Sequence, residues 1–390
     1  MKKIITTLIV TSLVHSFLLG QEAPQNTADI LTNQSISKVQ IGGYAQIDYN
    51  QPIKENSFSN GNLDVHRLVL LFGYRFNERT NFVTEIELEH VTEVYVEQAF
   101  LNYEILPWLN FRGGLLLVPM GIINEYHEPP TFNGVERPNL DNAIVPTTWR
   151  EIGAGFTGRF DNASLKYQLY LMNGFNGYNE GGVFRGTDAF RKGRQKGAES
   201  FITSPALSTK IDFYGIQGLK LGLSGYLGES QSTLYNEINK DNLAAVNKAD
   251  SSVVGISMLG FDARYRKGGF VAKAQINVAN INKTIEYNSF TGKDLGSQLF
   301  GWYAEAGYNL LQSSATSQKL VPFVRFEKYN THAKTEGGLA INGTFDRTDV
   351  TFGAGWWLAS GAVIKIDYQF FHDVLKNSKE QLNVGIGIAF

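Results

Sequence analysis

Residues 362–390 read AVIKIDYQFFHDVLKNSKEQLNVGIGIAF, and at both ends of this stretch apolar side chains fall on every second position. Leu382, Val384, Ile386, Ile388 and Phe390 alternate with Gln381, Asn383, Gly385, Gly387 and Ala389. Ala362, Ile364, Ile366, Tyr368 and Phe370 alternate in the same way with Val363, Lys365, Asp367 and Gln369. A period of two is the strand period, because successive side chains leave opposite faces of a strand. Period two alone fits a soluble sandwich or a membrane barrel, so the spacing of such segments along the chain has to decide.

Outward from that stretch the same period runs back to Lys38, in sixteen segments: 38–50, 62–77, 79–90, 93–106, 108–118, 149–159, 162–173, 202–215, 217–228, 252–267, 269–280, 297–311, 319–330, 347–358, 362–372 and 379–390. The number is even, and each segment has the roughly ten residues that cross an outer membrane on a tilt. Short turns such as Asn77 to Arg79, Leu106 to Pro107, Asp161 to Asn162 and Lys267 to Gly268 alternate with mostly longer loops. Phe76, Trp108, Phe160, Phe213, Tyr265 and Phe390 fall at the short-turn ends, where an aromatic girdle belongs. The expected fold is therefore all-β, a transmembrane antiparallel up-and-down β-barrel of about sixteen strands. A terminal aromatic on an alternating strand also resembles the signal read by the barrel-assembly machinery.

Composition agrees by exclusion. With no Cys there is no disulfide scaffold or thiolate metal site, and a formal charge of −2 does not suit a nucleic-acid binder. Lys2 and Lys3, the apolar run Ile4 to Leu19 and then Gly20 follow the order of a secretory signal peptide, residues 1–20. No later apolar stretch reaches eighteen residues, which excludes a helical membrane protein. Residues 21–37 read as a short periplasmic lead-in and 38–390 as the barrel, in the outer membrane of a Gram-negative cell.

If the oily rows face lipid, the alternate rows face a lumen wide enough at sixteen strands for an aqueous channel. The inward set includes Arg67, Glu85, Glu87, Arg112, Arg150, Glu151, Lys273, Arg325, Glu327 and Lys365. The connection 119–148 is the third on the long-loop side and too long for an idle turn. Folded inward it would narrow the pore with Glu125, His127, Glu128, Glu136, Arg137 and Asp141, a surplus of carboxylates that would raise cation concentration. The next loop, 174–200, carries Arg185, Arg191, Lys192, Arg194 and Lys196, to collect anions at the mouth or to meet lipopolysaccharide phosphates.

Enzyme and cofactor motifs fail on context. Gly153, Gly155 and Gly158 satisfy G-x-G-x-x-G but run into a turn and another strand instead of a helix. His127 and Glu128 begin an H-E-x-x-H pattern, yet its last position is Thr131 and Pro129 and Pro130 intervene. No cofactor and no metal site is expected, and no enzymatic activity.

The segment FRGGLLLVPMG, with Arg112, Gly114, Pro119 and Gly121, followed by Glu136 and Arg137 and by Arg150, Glu151, Ile152 and Gly153, resembles the phosphate-selective porin O and P family of Gram-negative outer membranes. The resemblance implies a sixteen-stranded, trimeric passive channel whose inward third loop and basic ladder attract anions such as phosphate or pyrophosphate. The glutamine, aromatic and lysine that this family carries before the proline are Leu115, Leu116 and Leu117 here. Three readings follow: a general porin for small hydrophilic solutes, a phosphate or pyrophosphate channel, and a plugged structural or adhesive barrel.

Overall fold

The computed structural model describes residues 37–390 together with Asn26 and Ile30. The expected signal peptide and nearly all of the lead-in lie outside the described residues. In chain order the strands are β1 (Val39–Ile53), β2 (Asn62–Arg75), β3 (Thr80–Glu89), β4 (Glu93–Leu106), β5 (Leu109–Leu117), β6 (Arg150–Phe160), β7 (Leu165–Met172), β8 (Asn176–Tyr178) and β9 (Ala206–Ile216). They continue as β10 (Leu219–Glu229), β11 (Gln231–Ser232), β12 (Gly255–Lys267), β13 (Phe270–Asn282), β14 (Gln298–Tyr308), β15 (Lys319–Lys334), β16 (Asp346–Ala359), β17 (Ala362–Asp373) and β18 (Ser378–Ala389). All but β8 and β11 close into one antiparallel barrel of sixteen strands, and each boundary lies within four residues of its sequence expectation.

The ring shuts between its first and last members. β1 and β18 pair from Tyr44 opposite Ala389 to Ile53 opposite Glu380. Beyond that register the Phe390 N–H donates to the Gly43 carbonyl at 2.9 Å, and the Gly43 N–H donates to the Phe390 carbonyl at 3.0 Å. Closure leaves no sheet edge, which is what a spanning sheet needs where no water can satisfy backbone groups.

The two faces sort as the alternation requires. On β17, Ile366 is 50% exposed on the outside while Asp367 is 2% exposed on the inside. Leu171, Leu259, Phe352 and Ile386 are likewise exposed outside, whereas Lys210, Arg325, Glu327 and Asn383 are buried inside. An oily outer face that encircles the molecule is the apolar band of a transmembrane barrel. At the short-turn rim Trp108 stacks on Phe160 with centroids 5.7 Å apart, and Phe160 on Tyr167 at 5.4 Å. Among the described residues no helix is long and apolar enough to cross a membrane.

The glycine motif of β6 is close strand packing, with no phosphate cradle. A Cβ on Gly155 would stand 2.0 Å from the Leu169 carbonyl oxygen of β7. On the long-loop side two connections are short, 374–377 between β17 and β18 and the turn from β3 into β4, which runs through His90 (φ 52°) and Val91 (φ 66°), both left-handed.

Candidate functional site

The third long loop, residues 118–149, does not leave the barrel; it crosses the lumen and is bonded to the wall nearly all the way round. Asn124 joins its two stems: the side-chain amide donates to the Val118 carbonyl at 2.7 Å and the Trp149 carbonyl at 2.9 Å, and its oxygen accepts the Trp149 N–H at 2.7 Å. Gly121 (φ 71°) turns the chain inward, where its carbonyl accepts from Lys210 of β9 at 2.6 Å. Further along, Lys273 of β13 donates to the Thr131 carbonyl at 2.6 Å, and Lys365 of β17 donates to the Pro129 and Gly134 carbonyls at 2.7 and 2.8 Å. The Val135 N–H meets Asp367 at 2.5 Å, the Leu140 N–H meets Glu327 at 3.1 Å, and Asn139 meets Asp349 at 2.8 Å. A strand can supply such partners because its inward charges repeat every second residue and present a dense polar lattice to any backbone laid across it.

These contacts redistribute the expected site. Lys273, Arg325, Glu327 and Lys365 are bonded to the loop, Arg325 donating to the Glu136 carbonyl at 3.3 Å as well as pairing with Glu327 at 2.8 Å. Glu151 accepts from Asn173 at 2.8 Å and from the Gln195 N–H at 3.2 Å, and so anchors the following loop. Arg112 donates to Asn102 at 2.9 Å and lies over the Phe100 ring. Within the loop, Glu125 pairs with Lys210 at 2.7 Å and Asp141 accepts from Gln275 at 2.8 Å, both carboxylates fully enclosed, and Glu128 is buried. His127 faces Glu85 and Glu97 on the wall.

Three of the loop's four carboxylates, Glu125, Glu128 and Asp141, are thus buried against the wall, and the open space beside the loop carries more cations than carboxylates. Burial of an unpaired charge costs more than a loop can recover, so the carboxylates sit where cationic or amide partners already wait. Toward the long-loop rim a cavity of about 300 Å³ is lined by Arg67, Arg137, Arg150, Arg191, Arg194 and Lys196 against Glu87, Glu89 and Glu136. Toward the short-turn rim a second cavity, of about 370 Å³, is lined by Arg266, Lys267, Lys273 and Lys319 and by no carboxylate. Loop residues 130–133 border the second cavity and residues 136–148 the first, so the loop's crossing separates the two.

Three loop cations of the upper cavity, Arg137, Arg194 and Lys196, are undercompensated. Arg194 is pushed down to about 9, first by burial and then by Arg191 and Arg150, and Arg137 to about 10, first by burial and then by Arg67. Burial, then Arg194 and Arg150, lower Lys196 as well. A guanidinium does not give up its proton, so this cost makes the cavity favourable to an anion. The Arg150 Nε and Arg67 Nε, buried and without a hydrogen-bond partner, are donors for it.

The rest of the outer lumen is filled by apolar packing that the alternation of strands could not announce. Trp149 stacks on Phe175 at 4.2 Å, Phe175 on Phe190 at 5.1 Å, and Phe184 meets Tyr287 at 5.9 Å. The Tyr287 hydroxyl donates to the Gly177 carbonyl at 2.7 Å and accepts the Val183 and Phe184 N–H groups at 2.9 Å. β8 and β11, paired in parallel, tie the 173–205 loop to the 230–254 loop. Any aqueous path is thereby pressed toward the basic wall. The clustered aromatics in 175–190 were a readable signal for this wedge.

Closed antiparallel architecture, polar lumen and inward third loop define the fold of the sixteen-stranded outer-membrane porins. Solved structures agree: the outer membrane channel DcaP of Acinetobacter baumannii (TM-score 0.58, 11% identity, 90% of this chain and 97% of that one) and the anion-selective porin from Comamonas acidovorans (TM-score 0.55, 11% identity, 90% and 99%) share it. So does in-vitro folded OmpT of Vibrio cholerae in its trimer form (TM-score 0.52, 11% identity, 90% and 99%). No family model matches the chain. An uncharacterized protein of Aquifex aeolicus is 36% identical over 315 residues, covering 77% of this chain and 68% of that protein, and the chain belongs to one family with it.

Proposed function

We propose that this protein is a passive channel of the Gram-negative outer membrane that admits small hydrophilic solutes and prefers anions, without enzymatic activity. The observation that carries this reading is the pair of basic cavities on either side of the third-loop crossing. Positive walls in a low-dielectric barrel raise the local concentration of anions and exclude cations. The barrels it resembles include an anion-selective porin, and one that forms a trimer, which supports a homotrimer here. Outer-membrane lipid, lipopolysaccharide and the barrel-assembly machinery are the partners such a channel requires.

A narrower second reading, membership of the phosphate-selective porin O and P family with phosphate or pyrophosphate as solute, is favoured by Arg137 and Arg150, which come from its motif and stand together in the upper cavity. The test is the reversal potential of the refolded protein in a planar bilayer under a KCl gradient. A chloride-directed potential supports the channel, and its loss on adding phosphate supports the narrower reading. A potassium-directed potential overturns the anion preference; absence of current leaves a plugged structural barrel. Deleting residues 124–142 should raise single-channel conductance.

A further inference from the structure

Three potential ligands converge where the third loop meets the wall beside β1: His127 from the loop, Glu85 from β3 and Glu97 from β4. We propose that they form a binding site for a divalent transition-metal ion of the Zn²⁺ type, which latches the loop to the barrel.

The geometry of the imidazole carries the argument. Nδ1 lies 3.2 Å from the Asn124 carbonyl, which can only accept, so Nδ1 bears the proton and a neutral ring turns the Nε2 lone pair toward the carboxylates. Nε2 is 3.5 Å from Glu85 Oε1 and 3.5 Å from Glu97 Oε2. Charge-assisted N–H···O bonds close to about 2.7–2.9 Å, and a single N–H shared between two oxygens, each 3.5 Å away, would be a weak three-centre contact. An ion about 2.1 Å from each of two ligand atoms, at a tetrahedral angle, holds those atoms ~3.4 Å apart. Nε2 and Glu97 Oε1 are buried and have no hydrogen-bond partner, and all three ligand atoms lie within 4.8 Å of one another.

Each ligand is also oriented from behind, as metal ligands are. The Tyr44 hydroxyl donates to Glu97 Oε2 at 3.2 Å, Gln98 donates to Glu85 Oε2 at 2.8 Å, and Asn124 fixes the ring. Neighbouring Glu87 is taken up by Arg67 at 3.2 Å. Two carboxylates and a neutral histidine then balance a dication, with a fourth position left for water. The alternative is a proton: burial opposes it, but Glu97 and Glu85 would draw it on, holding His127 up to about 10.

The experiment is equilibrium dialysis of the refolded, detergent-solubilised protein against Zn²⁺, with Co²⁺ as spectroscopic probe. One Zn²⁺ per chain is expected, weakened at least tenfold in His127→Gln and in Glu97→Gln and unchanged in Glu78→Gln, which alters an exposed turn. The intense visible bands of tetrahedral Co²⁺ should appear in the unmodified protein. No saturable Zn²⁺ uptake, or uptake unchanged in folded His127→Gln, overturns the site. Should His127→Gln fail to fold, the Co²⁺ spectrum of the unmodified protein decides, its bands supporting the site and their absence overturning it.

Discussion

Lys210 of β9 holds its ammonium 2.7 Å from the Glu125 carboxylate, so that a wall strand and the third loop, 85 positions apart, share one buried ion pair. Removing one member of such a pair leaves the other uncompensated and costs about 3–5 kcal/mol, whereas replacing both with apolar groups can be neutral. Lys210→Met should therefore loosen the loop, seen as protease cleavage within 118–149, and Lys210→Met with Glu125→Leu should recover part of the protection, the remainder being lost with the Lys210 bonds to the Gly121 carbonyl and Asp262. Equal cleavage of the single and double variants would show that the pair does not hold the loop.

Asp141 gives the loop a pH dependence of definite sign. Burial, reinforced by Glu327 against the Gln275 hydrogen bond, pushes its carboxyl from an ordinary 3.8 up to about 7. Between those values the docked state binds more protons than the released one, so docking weakens as pH rises through the window and is strongest below it, by at most about 1.4 kcal/mol per pH unit. Loop protection from protease should be greater at pH 4.5 than at pH 8, and Asp141→Asn should flatten the difference. A wild-type slope of the opposite sign would rule this carboxyl out as the cause.

Ile366 sits on the outer face at mid-strand. Placing arginine there would put a charge into hydrocarbon, at about 2–4 kcal/mol near the midplane. Urea titration of folding into lipid vesicles should show Ile366→Arg destabilised by that amount; no change would remove this position from the bilayer.

The turn at His90 and Val91 uses two left-handed residues, the second of them β-branched. Glycine adopts that conformation without the Cβ clash, which costs roughly 1–2 kcal/mol. Val91→Gly is expected to raise unfolding stability by about 1 kcal/mol, measured by the same titration.

The fold was legible because each strand records its own environment: Ile366 and Asp367 declare opposite faces with no knowledge of their neighbours. The inward course of the third loop was legible from its length and position. What the loop does with its charges was not, because charge totals do not tell which carboxylates face a partner. Glu125 is neutralised by Lys210 and Asp141 is enclosed beside Gln275, while Arg137 donates to the His127 carbonyl at 3.1 Å and lines the upper cavity. Likewise Glu85, Glu97 and His127 have no motif spacing; the pairing of β3 with β4 and the loop's course bring them together.

The seam between β1 and β18 sets the last step of ring closure. Gly43 at the β1 side of the seam bonds to Phe390 just beyond β18, so every intermediate in which the ring is still open presents two unpaired edges. The ring cannot be completed in stages, and the largest entropic toll of closure falls on its final step. A chain lacking only β18 would keep nearly all its contacts and still expose both flanks of the gap. One place, the seam face of β18, decides whether the whole hoop can shut.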